Sequence, residues 1–435
     1  MTIDVAIIGA GVAGLSAARE LSGAGRQICI IEARDRIGGR VLTQHLPDLP
    51  LPIELGAEFI HGEADSTFSI VDAAALTACE LPDNHWWSRN ARWQLVDFWE
   101  RIASVQSRIG NLRKDVSFAT FLSSRRNLSP RLRELALGFV EGYHAAHADR
   151  ISTLALSSAD GEQDEGGNKQ FRILGGYDSL VEWLRAGLDP GRAEMLLGTP
   201  VTAIRWRKGS VEIEAGAKTI RAKAALVTIP IGVWKAAPEQ EGTIRFDPPL
   251  REKSKAIAKL EVGHVVKVVL RFRERFWDDP AFLRRRIGRE PGDGMPLNFV
   301  HSTDPFVPTW WTTAPVRSPI LTGWAGGHAA DRLLAEGPEA LTSRALDSLA
   351  KVFGVRRRSL DSMLAATWTH DWQRDPFSRG AYSYAAVGGG AAHRALARAV
   401  ESTLFFAGEA TSGDETGTVA GAIASGRRAA REILG

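Results

Sequence analysis

The stretch from Asp4 to Glu32 constrains the fold more than any other part of the chain. Asp4 to Ile8 is a short apolar, β-branched run, which predicts a buried parallel strand. Gly9, Gly11 and Gly14 follow with G-x-G-x-x-G spacing. Val12 to Leu21 then carries Leu15, Ala18 and Leu21 at helical spacing, and Gly23 and Gly25 mark its end. Gln27 to Ile31 predicts a second strand, with Glu32 at its tip. Each part has a physical use. Gly9 permits a tight turn, Gly11 lets backbone approach a pyrophosphate, and Gly14 lets helix and strand pack closely. The helix start offers unpaired N–H groups to phosphates. Glu32 suits an adenosine ribose diol and repels a 2′-phosphate. Ala13 and Ala33 belong to the same predicted site. The motif alone does not separate NAD from FAD.

The chain has 435 residues, enough for two domains or three at most. Apolar residues make up 44% and charged residues 24%, so disorder and low-complexity architectures are excluded. The 54 basic and 51 acidic side chains leave a net charge of only +3. The densest basic runs, Arg284 to Arg286 and Arg356 to Arg358, lack an aromatic-basic module. They are expected to be solvated faces, with no nucleic-acid partner. Cys29 and Cys79 cannot make a disulfide framework or a metal cluster, and no metal is expected. No apolar run reaches eighteen residues, and Met1 to Leu15 lacks a basic n-region. The expectation is therefore a soluble, cytoplasmic protein with no membrane partner.

The segment EARDRIGGRV carries Arg34, Arg36, Gly38, Gly39 and Arg40. The glycine pair suits a second close approach of backbone to phosphate, and Arg40 can add charge there. Arg34 and Arg36 have surface charges as their alternative reading. With this extension the sequence resembles the flavoprotein superfamily of amine oxidases, protoporphyrinogen oxidases and carotenoid desaturases. Four later segments narrow the resemblance to the flavin-containing amine oxidases, in particular polyamine oxidases, monoamine oxidases and lysine-specific histone demethylases. In Glu54-Leu55-Gly56-Ala57-Glu58-Phe59-Ile60-His61-Gly62 the resemblance implies a flavin-lining turn, with His61 beside the amine channel. A structural, hydrogen-bonded histidine is the other reading of His61. In Gly263-His-Val-Val-Lys267 the alternation of Val266, Val268 and Leu270 predicts a strand with one buried face and Lys267 on the other. The resemblance implies that Lys267 holds a water against flavin N5.

Trp372 to Tyr384 looks like the family's W-x-x-x-P-[FY]-x-x-G-x-Y-S segment, with Tyr382 as one wall of an aromatic sandwich. Ala381 stands where monoamine oxidases carry the cysteine that bonds to flavin, so non-covalent FAD is implied. Leu404 to Thr411 and Gly417 to Ile423 resemble the last strand and helix start, which implies cofactor contacts from Gly408, Glu409, Thr418, Val419 and Ala422. Thr418 replaces the second sandwich tyrosine, as in the polyamine oxidase and demethylase branch. Weaker echoes place Val201 at an adenine edge and Thr228 at the end of a nucleotide-sheet strand.

The implied fold class is α/β: a discontinuous Rossmann-type FAD-binding domain (1–64, 165–248, 375–435) with an inserted α+β substrate-binding domain (65–164, 249–374). The first insertion, with patterns such as Phe98 to Leu112 and Pro130 to Tyr143, is expected to be mostly helical. The second contains the Lys267 strand and a helix from Pro338 to Phe353. The implied activity is oxidation of a polyamine or related alkylamine by hydride transfer to flavin N5. It would give an imine, then a carbonyl compound and amine, with O2 reduced to H2O2. Glu58, Glu63 and Asp65 are placed near the expected entrance. An L-amino acid oxidase, or a desaturase or protoporphyrinogen oxidase chemistry, is the alternative.

Overall fold

In the computed structural model, which describes residues 2–110, 112, 114–159, 168–288 and 296–435, the apolar run Ile3–Ile8 lies inside an eight-stranded sheet. The strand order is Ala193–Leu196, Ile28–Ile31, Ile3–Ile8, Lys218–Val227, Ser210–Ala215, Val201–Arg207, Arg245–Asp247. Val5 faces Ile28 on one side and Ala224 on the other, both in parallel register. The ten-residue strand Lys218–Val227 serves two further neighbours. Its first half pairs antiparallel with Ser210–Ala215, and its last three residues pair parallel with Leu404–Phe406. This is a doubly wound α/β sheet of the Rossmann type. The ends of Ile3–Ile8, Ile28–Ile31 and Lys218–Val227 point to one edge, where such sheets hold ligands.

Two helices cover that edge. Val12–Gly23 begins directly after the glycine turn, and Val419–Leu434 packs along it. A Cβ on Gly426 would lie 2.3 Å from the Ala13 carbonyl oxygen, so the two backbones touch.

A second, seven-stranded sheet runs Leu364–Thr369, Val265–Phe272, Ile320–Gly326, Thr309–Thr312, Phe299–His301, His85–Arg89, Arg92–Leu95. The Lys267 strand has neighbours on both edges. It is also covered on both faces. Val266, Val268 and Leu270 pack under the helices Gly327–Ala335 and Pro338–Phe353, while Val265 and Val269 pack on the other side. The expectation of a single buried face is therefore wrong, because helices cap one side and the rest of the protein closes the other.

The helix Pro338–Phe353 has its expected limits. Pro130–Gly142 starts at Ser129, whose hydroxyl accepts the Leu132 amide at 3.2 Å, with Pro130 in the first turn. Phe98–Gln106 is shorter than expected. The first insertion is mostly helical, as expected, but not throughout. Its Trp-rich segment forms the hairpin His85–Arg89/Arg92–Leu95, turned by Asn90 (φ 50°) and Ala91 (φ 56°), and joins the second sheet. A two-residue loop with both φ positive matches the twist of a hairpin. The arginine runs are not wholly solvated: Arg286 donates to the Phe353 and Gly354 carbonyls, and Arg357 pairs with Asp347 and Asp361. No described helix is long and apolar enough to cross a membrane.

Candidate functional site

A cavity of about 1390 Å³ opens at the edge of the parallel sheet and continues to the second sheet. That exceeds the usual few hundred to a thousand Å³ of a single small-ligand pocket. Apart from Gly14, every residue expected at the site from sequence lines this cavity. Gly14 lies just behind it, where a Cβ would stand 2.1 Å from the Gly9 carbonyl oxygen. Gly9 has φ +107°, and Thr228 donates its hydroxyl to the Ile8 carbonyl at 2.7 Å across the same turn. Gly11 bridges Gly38, and a Cβ on Gly39 would stand 3.3 Å from the Gly11 Cα, so these glycines leave a bare backbone cradle. That cradle, at a helix start, fits the pyrophosphate of a dinucleotide.

Glu32 is 4% exposed, and its two oxygens accept the Ala10 amide (2.7 Å) and the Arg34 amide (2.9 Å). A carboxylate keeps further lone pairs for a ribose. Neither arginine of the EARDR segment is a free surface charge. Arg34 is tied to Asp375 (2.6 Å) and Ser378 (2.8 Å). Arg36 donates to the Gly39, Ile37 and Val41 carbonyls and so staples the glycine loop. Arg40 donates to the Ala381 carbonyl and to Glu409 at 3.0 Å. Its charge is thus balanced by Glu409, which also accepts the Ser383 hydroxyl at 2.8 Å. Thr418 caps the last helix: its hydroxyl accepts the Gly421 amide at 2.9 Å and donates to the Glu415 carbonyl at 2.8 Å. The cap leaves the amides that follow it at the cavity wall, with the positive end of the helix dipole.

The middle of the cavity holds the remaining expected residues. A Cβ on Gly56 would collide with the Arg40 carbonyl oxygen at 2.0 Å, so only glycine permits this turn to nest there. Trp372 donates its indole N–H to the Leu55 carbonyl at 3.0 Å. Tyr382 donates its hydroxyl to the Tyr143 carbonyl at 2.7 Å, which aims the ring, and Gly417 lies against that ring. Lys267 is 3% exposed; its Nζ sits 2.6 Å from Glu58 Oε2 and donates to the Gly56 carbonyl at 3.1 Å. Glu58 Oε1 takes Arg172 at 2.8 Å and the Trp311 indole N–H at 3.1 Å. Burial pushes the Glu58 carboxyl pKa up, but the Lys267 and Arg172 charges override it and hold the carboxyl below its usual range. Glu58 is therefore no entrance acid, which corrects that expectation. Glu63 pairs with Lys169 at 2.7 Å, and Asp65 opens the helix Asp65–Ala73.

Burial pushes the His61 pKa down to about 4, and its buried Nδ1 has no hydrogen-bond partner among the described residues. It is thus a neutral imidazole with an unspent ring nitrogen, 4.9 Å from the Tyr143 ring centre. Beyond it the walls are aromatic. His85 and His301 share a hydrogen bond at 2.8 Å, with Phe98 and Phe299 stacked on His85 at 4.6 and 4.8 Å. Trp99, Tyr143, Trp311 and Trp324 complete the chamber. Sequence reading missed these residues and the role of Arg172. In the sequence Arg172 only begins a segment that resembles the family's G-G-x-x-x-L turn; the structure puts it in the strand Gln170–Ile173, and its partner Glu58 comes from the facing segment, near the pair Ile60↔Phe171.

Next to the Lys267 group lies Glu54, whose carboxyl is raised to about 7 by burial, against hydrogen bonds from Thr43 and Tyr177. In the unfolded chain it ionises near 4.5. Its contribution is therefore largest below pH 4.5 and lost as pH rises through 7. Glu54→Gln, which keeps an acceptor for Tyr177 N and a group for Thr43, should raise Tm at pH 8 relative to wild type and not at pH 5. Thermal melts at both pH values check this; equal shifts at the two would contradict it.

A sequence profile described as flavin-containing amine oxidoreductase matches residues 12–434. Polyamine oxidase 3 of Oryza sativa subsp. japonica is 29% identical over 99% of this chain and 89% of its own length. Lysine-specific histone demethylase 1 homolog 2 of Arabidopsis thaliana is 28% identical over 99% of this chain, which spans only 58% of that protein. Among solved structures, wild-type putrescine oxidase bound to putrescine superposes with a TM-score of 0.81 at 20% identity, covering 100% of this chain and 99% of the other. Cyclohexylamine oxidase from Brevibacterium oxydans IH-35A gives 0.80 at 22%, with the same coverage. At those identities the structural likeness is one of fold. The profile match across nearly the whole chain, laid over a glycine cradle, a buried lysine and an aromatic chamber, shows that this chain belongs to the flavin-containing amine oxidoreductases.

Proposed function

We propose that the chain is an FAD-dependent amine oxidase that holds its cofactor non-covalently and oxidises a C–N bond of an alkylamine, with O2 as acceptor. When bound, the flavin supplies the hydride acceptor and passes the electrons on, so that amine becomes imine and O2 becomes H2O2. The observation that carries this reading is Lys267, buried between the Gly56–Ala57 turn and Glu58 and lining the same cavity as Tyr382. Ala381 offers no nucleophile for a covalent flavin link. The division into an FAD-binding body (1–64, 165–248, 375–435) and a substrate-binding body (65–164, 249–374) goes with this reading.

The chain's own residues prepare the amine. The amine must react with its lone pair free, and removing a proton from an alkylamine at pH 7 costs about 4 kcal/mol. Lys267 and Arg172 face Glu58, with Glu54 neutral below about pH 7, which leaves a positive excess there, and aromatic side chains line the chamber. Both effects favour the neutral amine. His61 stays uncharged through the working range and can accept a hydrogen bond at Nδ1. Tyr382 frames the nitrogen from the side.

The relatives named polyamine oxidases make a polyamine the second reading of the substrate. The chamber favours an amine with an apolar body, because both Glu58 oxygens are already engaged. The amino acid oxidase alternative would need a free arginine as a carboxylate clamp, and Arg172 is already bound to Glu58 and to the Thr313 and Ala314 carbonyls. A peroxide-coupled assay should give apolar-bodied monoamines such as cyclohexylamine or phenethylamine at least about tenfold higher kcat/KM than putrescine or spermidine, a difference of about 1.4 kcal/mol. Peroxide from amino acids alone, or from no amine, would defeat the proposal.

The pH profile follows from the same groups. Activity should climb between pH 6 and 9 as the free amine population grows, without an inflection from His61. A rate flat over that range would show that the amine is not required neutral.

A further inference from the structure

We propose that His147, His264 and Asp331 form a binding site for a divalent transition-metal ion, zinc being the reference case. The three residues come from separate parts of the chain: the segment after Pro130–Gly142, the start of the Lys267 strand, and the helix Gly327–Ala335. One ligand atom from each lies within 4.8 Å of the others. His147 Nε2 meets one Asp331 oxygen at 2.7 Å, and His264 Nδ1 meets the other at 2.6 Å. Two imidazoles and a carboxylate are a ligand set that zinc and its neighbours favour, with bonds of about 2.0–2.2 Å. Ligand atoms at such bond lengths stand about 3 Å apart, so small side-chain rotations convert these hydrogen bonds into coordination.

The surroundings are those of a supported site. The outer nitrogen of His147 meets the Tyr384 hydroxyl at 3.1 Å, which fixes the ring and leaves Nε2 toward Asp331. Glu141 and Asp149 hold His328, whose ring centre lies 4.8 Å from that of His147, and they add negative charge around the ligands. His147 is buried, while the side chains of His264 and Asp331 are 38% and 41% exposed. The site is therefore anchored on one side and open to an ion from solvent on the other. The sequence could not show it, because no short motif contains the three residues. It lies beside the chamber: His147 shares its segment with Tyr143, whose carbonyl holds Tyr382. Occupancy would clamp that segment to the second sheet.

The test uses flavin-loaded enzyme stripped of metal by a chelator and then dialysed against zinc at about 10 µM. Wild type should retain one zinc per chain by elemental analysis and gain about 2–3 °C in Tm. His264→Ala and Asp331→Asn are partly exposed positions chosen to preserve folding. Each should lower zinc affinity at least about tenfold and remove the Tm gain. A conservative His264→Gln, checked by circular dichroism, serves if either variant folds poorly. Cobalt substitution gives a second readout, since nitrogen-ligated cobalt absorbs in the visible and that band should vanish in His264→Ala. Wild type without stoichiometric zinc, or zinc bound equally by all variants, would overturn the proposal. Neither measurement depends on turnover, so it stands or falls apart from the amine oxidase reading.

Discussion

Lys267→Met should lower amine-dependent oxygen consumption by about a hundredfold while leaving a folded, yellow protein. The size follows from removing a preorganised charge from a water-excluded site, where such groups are worth roughly 10²–10³ in rate. The survival of the fold follows from the local network. Removing one partner of a buried ion pair normally costs about 3–5 kcal/mol because the other charge is stranded. Here Glu58 keeps Arg172 at 2.8 Å and the Trp311 indole, so its charge stays compensated. Methionine also fills the space of the lysine stem. Stopped-flow absorbance at the flavin band separates the anaerobic reductive step from the oxygen step. A variant as fast as wild type in both would remove Lys267 from the chemistry. Arg172→Met offers the contrast: it should destabilise the fold by disconnecting strand Gln170–Ile173 from Glu58, with Lys267 still in place.

Gly14→Ala should give a colourless or weakly loaded protein. The added Cβ would sit 2.1 Å from the Gly9 carbonyl oxygen and 3.3 Å from the Thr228 hydroxyl, and the first of these is backbone that cannot swing away. The helix Val12–Gly23 must move outward from the strand, and its amides leave the cradle. Gly23→Ala, at the far end of the same helix, meets nothing within 4 Å and should leave cofactor content unchanged. In a helix this second change is worth about 0.5–1 kcal/mol of added stability. Absorbance ratios at 450 and 280 nm after purification compare the two. Full loading of Gly14→Ala would mean that the close packing at this turn does not govern binding.

The contrast between these two regions explains what the sequence made readable. The turn from Gly9 to Gly14 was legible because every contact that gives it meaning lies within thirty residues or so. Spacing alone reports such geometry. The Lys267 strand was legible as a strand, yet its burial was not. Its edge neighbours Ile320–Gly326 and Leu364–Thr369 and the two helices over one face are all contributed by distant sequence. The same holds for Glu58, which looked like a rim acid until Arg172 and Lys267 converged on it from two other strands. The hairpin at Trp86 to Trp93 was overlooked because Asn90-Ala91 is a weaker turn signal than Asn-Gly, though both residues adopt positive φ. Resemblance supplied the positions of Tyr382, Thr418 and Glu409, but not the partners that orient them. The Gly421 amide that caps onto Thr418 is local, but Tyr143 and Arg40 reach Tyr382 and Glu409 only in the assembled fold.

The backbone contact between Gly426 and Ala13 has a consequence for assembly. The wall that closes the cradle is made by residues more than four hundred positions apart, so the pocket is complete only once two segments distant in sequence have met. A dinucleotide bound in the cradle would tie those two segments together, so loading should raise the temperature at which they part.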